Sequence, residues 1–525
     1  MSQRLRVDPV VFYVAAAISA AFVLWGVLST DSLSSVAGDV LSWVIATFGW
    51  VFVLATAAFV VFAGVLAVSR YGRLRLGADD ERPEFRTVSW VAMMFSAGMG
   101  IGLMFFAVAE PISHLSAPPA GTAQPNTEAA AQQAMAISYF HWALHPWAIY
   151  AIVGLALAYF TFRRGMPNLI STAFHPLIGD RVNGPIGKSI DILAIFATLF
   201  GSATSLGLGA LQINSGLDFL WGVESSTTVA VVIIAVLTLA FVASAVSGVH
   251  KGIQWLSNTN MVLAVLLLLF VLVVGPTVFQ LETLVSSIGG YLTTIVPASF
   301  RTGAFADQEW LSSWTIFYWA WWISWAPFVG TFIARISKGR TVREFVVGVL
   351  LVPSGVSFAW FAVFGGAAIN LQLGGDADLA AVVGEPEVAL FSMLEQFPGS
   401  GITSLIVIVL VALFFVSGAD AASVVMGMLS SRGNLSPSRP VVILWGVFTG
   451  SAAAILLVAG GLEALQQAAI IAAAPFMLVM VGLSVGLFKA LGQEVAPLFV
   501  PEPAPGQAVP RAVPAKPSPP AMGAR

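Results

Sequence analysis

Residues 310–339 read WLSSWTIFYWAWWISWAPFVGTFIARISKG, and this stretch decides the fold. It is long and apolar enough to cross a bilayer as a helix, which takes about 20 residues at ~1.5 Å rise each. Trp321, Trp322 and Trp325 fall roughly 16 to 22 Å from its start, at mid-bilayer rather than at the headgroups. Trp314, Tyr318, Trp321 and Trp325 are spaced so that they share one helical face. Most membrane tryptophans are interfacial anchors or packing. Indole faces also attract cations, quaternary ammonium above all, and most strongly where water is excluded. No carboxylate neighbours these rings along the chain, so a cation held there would be held by π-faces. Spacing alone leaves packing and binding both open.

The rest of the chain has a membrane composition. Mean hydropathy is +0.90 and only 9% of the 525 residues are charged, which excludes a soluble protein of this length. There are no cysteines, hence no disulfides or thiolate metal sites, and the five histidines show no metal-ligand spacing. No nucleophile elbow or phosphate loop points to an enzyme, no resident cofactor is implied, and no nucleic-acid partner is expected. The start, MSQRLRVDPVVFY, lacks a small-residue cleavage site after its apolar run and reads as a first span.

Apolar runs predict twelve transmembrane helices, at 10–28, 44–68, 90–108, 138–162, 189–216, 229–247, 259–275, 310–334, 345–369, 401–429, 440–459 and 468–488. Lys and Arg are retained on the cytoplasmic side. With both termini inside, all but Arg301 of the 23 basic residues fall on inner segments, while the outer loop 370–400 carries acidic residues and no Lys or Arg. Segment 281–298 is too short and polar to cross and reads as an amphipathic helix at the outer interface. The chain thus divides into an N-terminus (1–9), two helices with an inner loop (10–88), spans 3–7 (89–280) and an interfacial helix and loop (281–309). Spans 8–12 (310–490) and a Pro/Ala-rich tail (491–525), expected to be disordered, complete it.

Two spans carry helix-breaking signals. Gly98, Gly100 and Gly102 alternate in span 3, consistent with close small-residue packing or with an unwound stretch facing a cavity. Span 8 has Pro327 and Gly330 just beyond Trp325. Spans 3–7 and 8–12 run in opposite senses, each opening on an interrupted helix, which is the inverted-repeat pattern of secondary transporters. In span 4, Pro146 cannot donate to the Trp142 carbonyl, so a kink is expected. His141 and His145 there suit structural hydrogen bonds better than a proton relay. Glu110 and Pro111 read as a helix stop at the outer face. Asp420, a carboxylate inside span 10, suits helix locking or gating.

The segments AGMGIGLMF, FHWALHPWAIYAIVGLALAYFTFRRG, DILAIFATLFGSATSLGLGALQI, VSGVHKGIQWLSNTNMVLA, SWTIFYWAWWISWAPFVGTFIARISKGR and FFVSGADAASVVMG together resemble the betaine/choline/carnitine transporter family, most closely its sodium-coupled glycine betaine carriers. The resemblance runs from about residue 8 to 490. It implies an all-α, leucine-transporter-type fold of two inverted five-helix repeats preceded by two extra helices. It also implies a homotrimer joined through 44–68 and 281–298 in a bacterial plasma membrane, and a role in osmoprotection.

Position by position, the resemblance implies an aromatic box of Trp142, Trp147, Tyr150, Trp321, Trp322 and Trp325 around the trimethylammonium. The substrate carboxylate would face the strip of Gly98, Met99, Gly100 and Gly102, with Ser205 as hydroxyl donor. Choline carriers tend to have Asp in the glycine strip, so Gly102 favours a zwitterion. One sodium site would use Ser96, Met99, Phe414 and Ser417, although Gly418 stands where a second hydroxyl is usual. The other would use Thr198, Ser202, Phe328 and Thr449. The arginine that marks sodium-independent exchangers is absent from 189–216. The weakly basic tail departs from osmosensing members and is expected to leave uptake constitutive. The expectation is sodium symport of glycine betaine or a related compatible solute by alternating access. The rivals are a proton-coupled or sodium-independent carrier of choline, carnitine or ectoine, and a membrane receptor for quaternary ammonium.

Overall fold

The computed structural model describes residues 7–98, 100–247, 250–305 and 307–495, with backbone only for 95–98, 245–247, 250–257 and 495. Among the described residues the chain is helical and without a strand; one isolated antiparallel bridge joins Arg75 to Thr341. It opens with α1 (Pro9–Leu28) and α2 (Thr30–Val68). Then come two interrupted helices, α3 (Thr87–Gly98) with α4 (Ile101–Ser116), and α5 (Glu128–Trp142) with α6 (Leu144–Ala158). They are followed by α7 (Pro185–Trp221), α8 (Thr227–Ser247), α9 (His250–Val274) and α10 (Thr277–Ser299). The last part holds α11 (Phe317–Ile336), α12 (Val342–Gly374), α13 (Ala389–Glu395), α14 (Ser400–Leu429) and α15 (Arg439–Val495).

Local sequence sets the helix ends. Asp8 caps α1 by accepting from the Val10 and Val11 amides, and Pro9 occupies the first turn, where its missing N–H is harmless. Thr341 and Glu344 form a reciprocal capping box at the start of α12, and Gly375, at φ 78°, closes it in the left-handed conformation. The twelve expected spans all fall on helix, with 90–108 and 138–162 each interrupted once and the last two sharing α15. α15 bends at Gly460 and at Gly461, whose φ of 60° favours glycine. Eight helical stretches among the described residues are long and apolar enough to cross a membrane individually.

The expected interfacial helix is α10, set at 110° to the Asn258–Val274 part of α9. Gln280 fixes this elbow by donating to the Val271 carbonyl (3.1 Å) and, on α12, to that of Val363 (3.0 Å). Outward it presents Leu281, Val285, Leu292 and Val296, while Gln280, Ser287 and Tyr291 are buried. Polar side chains inside and apolar ones outside reverse the soluble pattern and suit lipid or a second subunit.

Four expectations need correction. α2 begins at Thr30 rather than 44; at 39 residues it exceeds the roughly 20 a bilayer needs, so its polar first turns extend the rod. Glu110 and Pro111 are not a stop: α4 runs through them to Ser116, and Gly365 of α12 leaves room for the proline ring, since a Cβ there would lie 2.7 Å from Pro111 Cγ. Span 8 is not broken at Pro327. α11 continues through it, and its irregularity is a π-turn at Ser312–Ile316. One proline removes a single N–H, and packing holds the rest: Gly330 meets Gly154 of α6 so closely that a Cβ would lie 3.0 Å from the Gly154 amide. The tail, finally, starts later than 491. Glu494 still belongs to α15 and accepts from Tyr159 Oη and Arg163 Nε. Residues 496–525, where disorder was expected, lie outside the described residues.

Candidate substrate site

The two helix breaks face each other. Gly100 is extended (φ −171°, ψ 179°), so α4 starts afresh at Ile101 with first-turn amides that have no partner inside the helix. At Ala143 (φ −105°, ψ −115°) α5 ends, because Pro146 supplies no N–H and disfavours helical backbone at His145. The His141 carbonyl freed there accepts from Trp322 Nε1 of α11 at 3.1 Å. The break in one helix thereby orients a cage ring on another.

Between the breaks lies a cavity of about 60 Å³ lined by Gly100, Gly102, Trp142, Trp147, Tyr150, Ser205, Trp321, Trp322 and Trp325, together with Ile101, Leu103, Pro146, Val329 and Ser357. All six expected box residues, Ser205, Gly100 and Gly102 therefore meet around one space. Gly98 ends α3, its surroundings undescribed, and Met99 lies outside the described residues, as does the side chain of Ser96. Trp321 and Trp322 stack at 4.7 Å and 15°, Trp142 stands edge-on to Trp322 at 4.9 Å and 72°, and Tyr150 to Trp322 at 6.3 Å and 77°. Stacked and edge-on rings together surround a space with faces and edges from several directions. Gly102 is required by contact: a Cβ there would lie 2.7 Å from Trp321 Cη2 and 2.8 Å from Trp142 Cη2.

Polar groups are few and placed. Ser205 Oγ accepts from Trp321 Nε1 at 3.1 Å, and its own bond to the Gly201 carbonyl is long, at 3.3 Å. Trp325 Nε1 is buried without a partner among the described residues. These donors and the positive end of α4 can receive a carboxylate, while the ring faces receive a cation.

A second cavity, of about 210 Å³, shares Gly100, Ile101, Ser205, Trp325 and Val329 with the first and continues past Ser202, Asn260, Phe328, Phe414, Ser417 and Gly418. Of the expected sodium residues, Phe414, Ser417, Ser202 and Phe328 line it. The Ser202 hydroxyl is buried without a partner among the described residues, whereas Ser417 donates to the carbonyls of Leu413 (2.8 Å) and Phe414 (3.3 Å). Among the described residues nothing lies within 4 Å of where a Gly418 side chain would begin. Thr198 and Thr449 do not line the cavity; each donates to its own helix, to Ala194 and Trp445 (both 2.8 Å).

The sequence reading missed a carboxylate. Glu110 is fully buried, and its Oε2 accepts from Trp142 Nε1 (2.7 Å) and Tyr318 Oη (2.6 Å). Its Oε1 lies 2.6 Å from His141 Nδ1 and 3.4 Å from His114 Nε2. His141 Nε2 meets Thr315 Oγ1 at 3.0 Å, and His145 Nε2 meets Ser299 Oγ at 2.9 Å, so both histidines have the expected structural bonds. The rings are thus not without a carboxylate, as their neighbours along the chain implied; α4 brings one from about 200 residues away. The usable signal was its type, since an ionisable residue at membrane depth is functional by default; ending the span at 108 hid it. Glu110, His114 and His141 also lie close enough to share a metal ion. The 2.6 Å Glu–His separation is a hydrogen bond. Two ligands ~2.0–2.1 Å from one tetrahedral metal would stand about 3.3 Å apart.

Apolar helices with a buried aromatic cavity at two helix breaks define a multi-pass membrane protein with a small-solute site. Residues 10–496 match the model of the betaine/carnitine/choline family transporters. The glycine betaine transporter OpuD of Bacillus subtilis is 50% identical over 488 residues, 92% of this chain and 94% of that one. A probable glycine betaine transporter of Desulfitobacterium hafniense is 48% identical, covering 92% and 97%. The betaine/ectoine transporter LcoP of Corynebacterium glutamicum is 42% identical, covering 94% and 79%. The chain belongs to the betaine/carnitine/choline transporter family, a family of carriers and not of enzymes.

Proposed function

We propose that this protein imports glycine betaine, or a closely related quaternary-ammonium solute, by sodium symport and alternating access across a bacterial plasma membrane, with both termini cytoplasmic. The observation that carries the reading is the cavity that gathers six aromatic rings beside the first-turn amides of α4. The rings suit a trimethylammonium, and the amides with Ser205 and Trp325 Nε1 suit a carboxylate. The relatives' names point to the same substrate class. Sodium coupling draws support from Ser202, Ser417 and Phe328 on the adjoining cavity, where oxygen ligands suit a hard cation. Twelve crossings, in two inverted sets of five after α1 and α2, accommodate the helices and the basic inner segments. A homotrimer is supported by the exposed apolar side chains of α2 (Trp43, Trp50, Leu54, Val61) and α10; membrane lipid covers the remaining apolar surface.

Proton coupling is the rival with a structural basis, since Glu110, His114 and His141 form a titratable cluster beside the cage. Betaine uptake into proteoliposomes under an inward sodium gradient, compared with a proton gradient alone, separates the two. Uptake indifferent to sodium refutes the symport; binding without uptake under either gradient would make the protein a receptor.

A further inference from the structure

The carboxylate of Glu110 lies directly behind one wall of the cage. Trp142 lines the cavity with its ring and donates its indole N–H to Glu110 Oε2 at 2.7 Å, so a single aromatic ring separates the carboxylate from the site. Tyr318, the second donor to Oε2, does not line the cavity but stacks on Trp322 at 5.8 Å and 16°. Both donors to Oε2 therefore belong to the cage or to the layer supporting it.

The groups around Glu110 leave its charge in place when its histidines are neutral. The cation of the outer loops, Arg301, stacks over Trp310 at 5.4 Å and is paired with Asp307 at 2.6 Å. Three histidines lie near. His114, on α4 itself, packs its ring against Trp310 and Trp314 with Nε2 3.4 Å from Glu110 Oε1. His145, beyond the α5–α6 break, stacks on Trp319 and bonds Ser299. His141, on α5, faces Glu110 through Nδ1 and Thr315 through Nε2. A neutral His141 satisfies both contacts, with Nδ1–H donating to the carboxylate and Nε2 accepting the threonine hydroxyl. In that arrangement, with His114 neutral as well, the cluster keeps one negative charge in a low-dielectric setting. Such a charge is costly alone and favourable beside a permanent cation.

We propose that Glu110 is the counter-charge of the cation subsite, a positioning residue that acts through Trp142. It attracts the quaternary ammonium across the ring. By accepting the indole N–H it also enriches the π-face that the ammonium meets. Selectivity for a cationic over a neutral head thus comes from a carboxylate that never touches the ligand. This rests on the assignment of the aromatic cavity to a trimethylammonium solute.

The test compares glycine betaine with its carbon isostere 3,3-dimethylbutanoate, which has the same shape and carboxylate but no positive charge. Binding of each to the purified full-length carrier is read by tryptophan fluorescence, in wild type and in Glu110→Gln. Betaine affinity is expected to fall about tenfold or more, the scale of one unit charge across a ring at intermediate dielectric. Affinity for the isostere should stay or rise, so that the preference collapses. Equal weakening of both compounds would mean that Glu110 only shapes the cage, and unchanged betaine affinity would mean that it does nothing; either result overturns the proposal. Should Glu110→Gln fail to fold, the same ratio is read in Glu110→Asp and Tyr318→Phe, which keep the charge but disturb its hydrogen bonds. A preserved preference supports the counter-charge and a collapsed one refutes it. Wild-type protein that binds neither compound would instead sink the betaine assignment, and this inference with it.

Discussion

Gly102→Ala tests the cage by the smallest possible change. The added methyl would lie 2.7 Å from Trp321 Cη2 and 2.8 Å from Trp142 Cη2. Carbon atoms pack at about 3.5–4.0 Å, so one or both rings must retreat by roughly 0.7–1.3 Å. Neither is free to do so. Trp321 is stacked on Trp322 at 4.7 Å and on Phe317 at 5.5 Å, with its N–H on Ser205, while Trp142 is held by Glu110. Overpacking of this kind costs about 1–3 kcal/mol. Each ~1.4 kcal/mol that reappears as a misplaced ring is tenfold in affinity. The dissociation constant for betaine, read by tryptophan fluorescence, should rise about tenfold to a hundredfold, with a matching rise in the KM of uptake. Gly100→Ala is the control. Its Cβ meets nothing within 4 Å among the described residues and its φ of −171° suits any residue, so thermal stability should stay at the wild-type value. A Gly102→Ala carrier with wild-type affinity and uptake would refute the reasoning, because the rings would then be loose packing rather than a fitted wall.

Three further outcomes are expected. Trp325→Leu removes the ring that lines both cavities and its buried N–H. The KM for betaine should rise at least tenfold, a loss of about 1.4 kcal/mol or more, with folding monitored by size-exclusion chromatography nearly intact. Ser202→Ala deletes a buried hydroxyl on the larger cavity, and the sodium concentration for half-maximal uptake should rise several-fold while betaine affinity at saturating sodium holds; an unchanged sodium response removes Ser202 from the ion site. Away from the cage, the Arg335 guanidinium, at 2.7 Å, holds the Glu84 carboxyl below its ordinary value. A lowered folded value means that the pair stabilises at neutral pH and loses this as pH falls below about 4.5 through the folded value. Both partners are substantially exposed, so Glu84→Gln should cost under about 1 kcal/mol at pH 7 and abolish that part of the acid sensitivity in thermal melts.

Some of this protein could be read without coordinates. Long apolar runs dictate helices, because backbone polar groups in lipid must bond within their own segment. The alternating glycines before Gly102 and the proline at 146 announce where two helices fail. The tryptophans of 310–339 are legible because one helix carries them in register. What the chain order hides is whatever two segments build together. Glu110 looked like a helix stop, and it took α4 running on past Pro111, into space left by Gly365, to set its carboxylate against Trp142, His141 and Tyr318. Pro327 looked like a break, but close packing of Gly330 on Gly154 carries α11 through it. Composition and periodicity determine which segments are helical and how many rings are available to a cation. Only the packed bundle decides which rings share a space and which charge stands behind them, since those depend on distances between residues far apart in the chain.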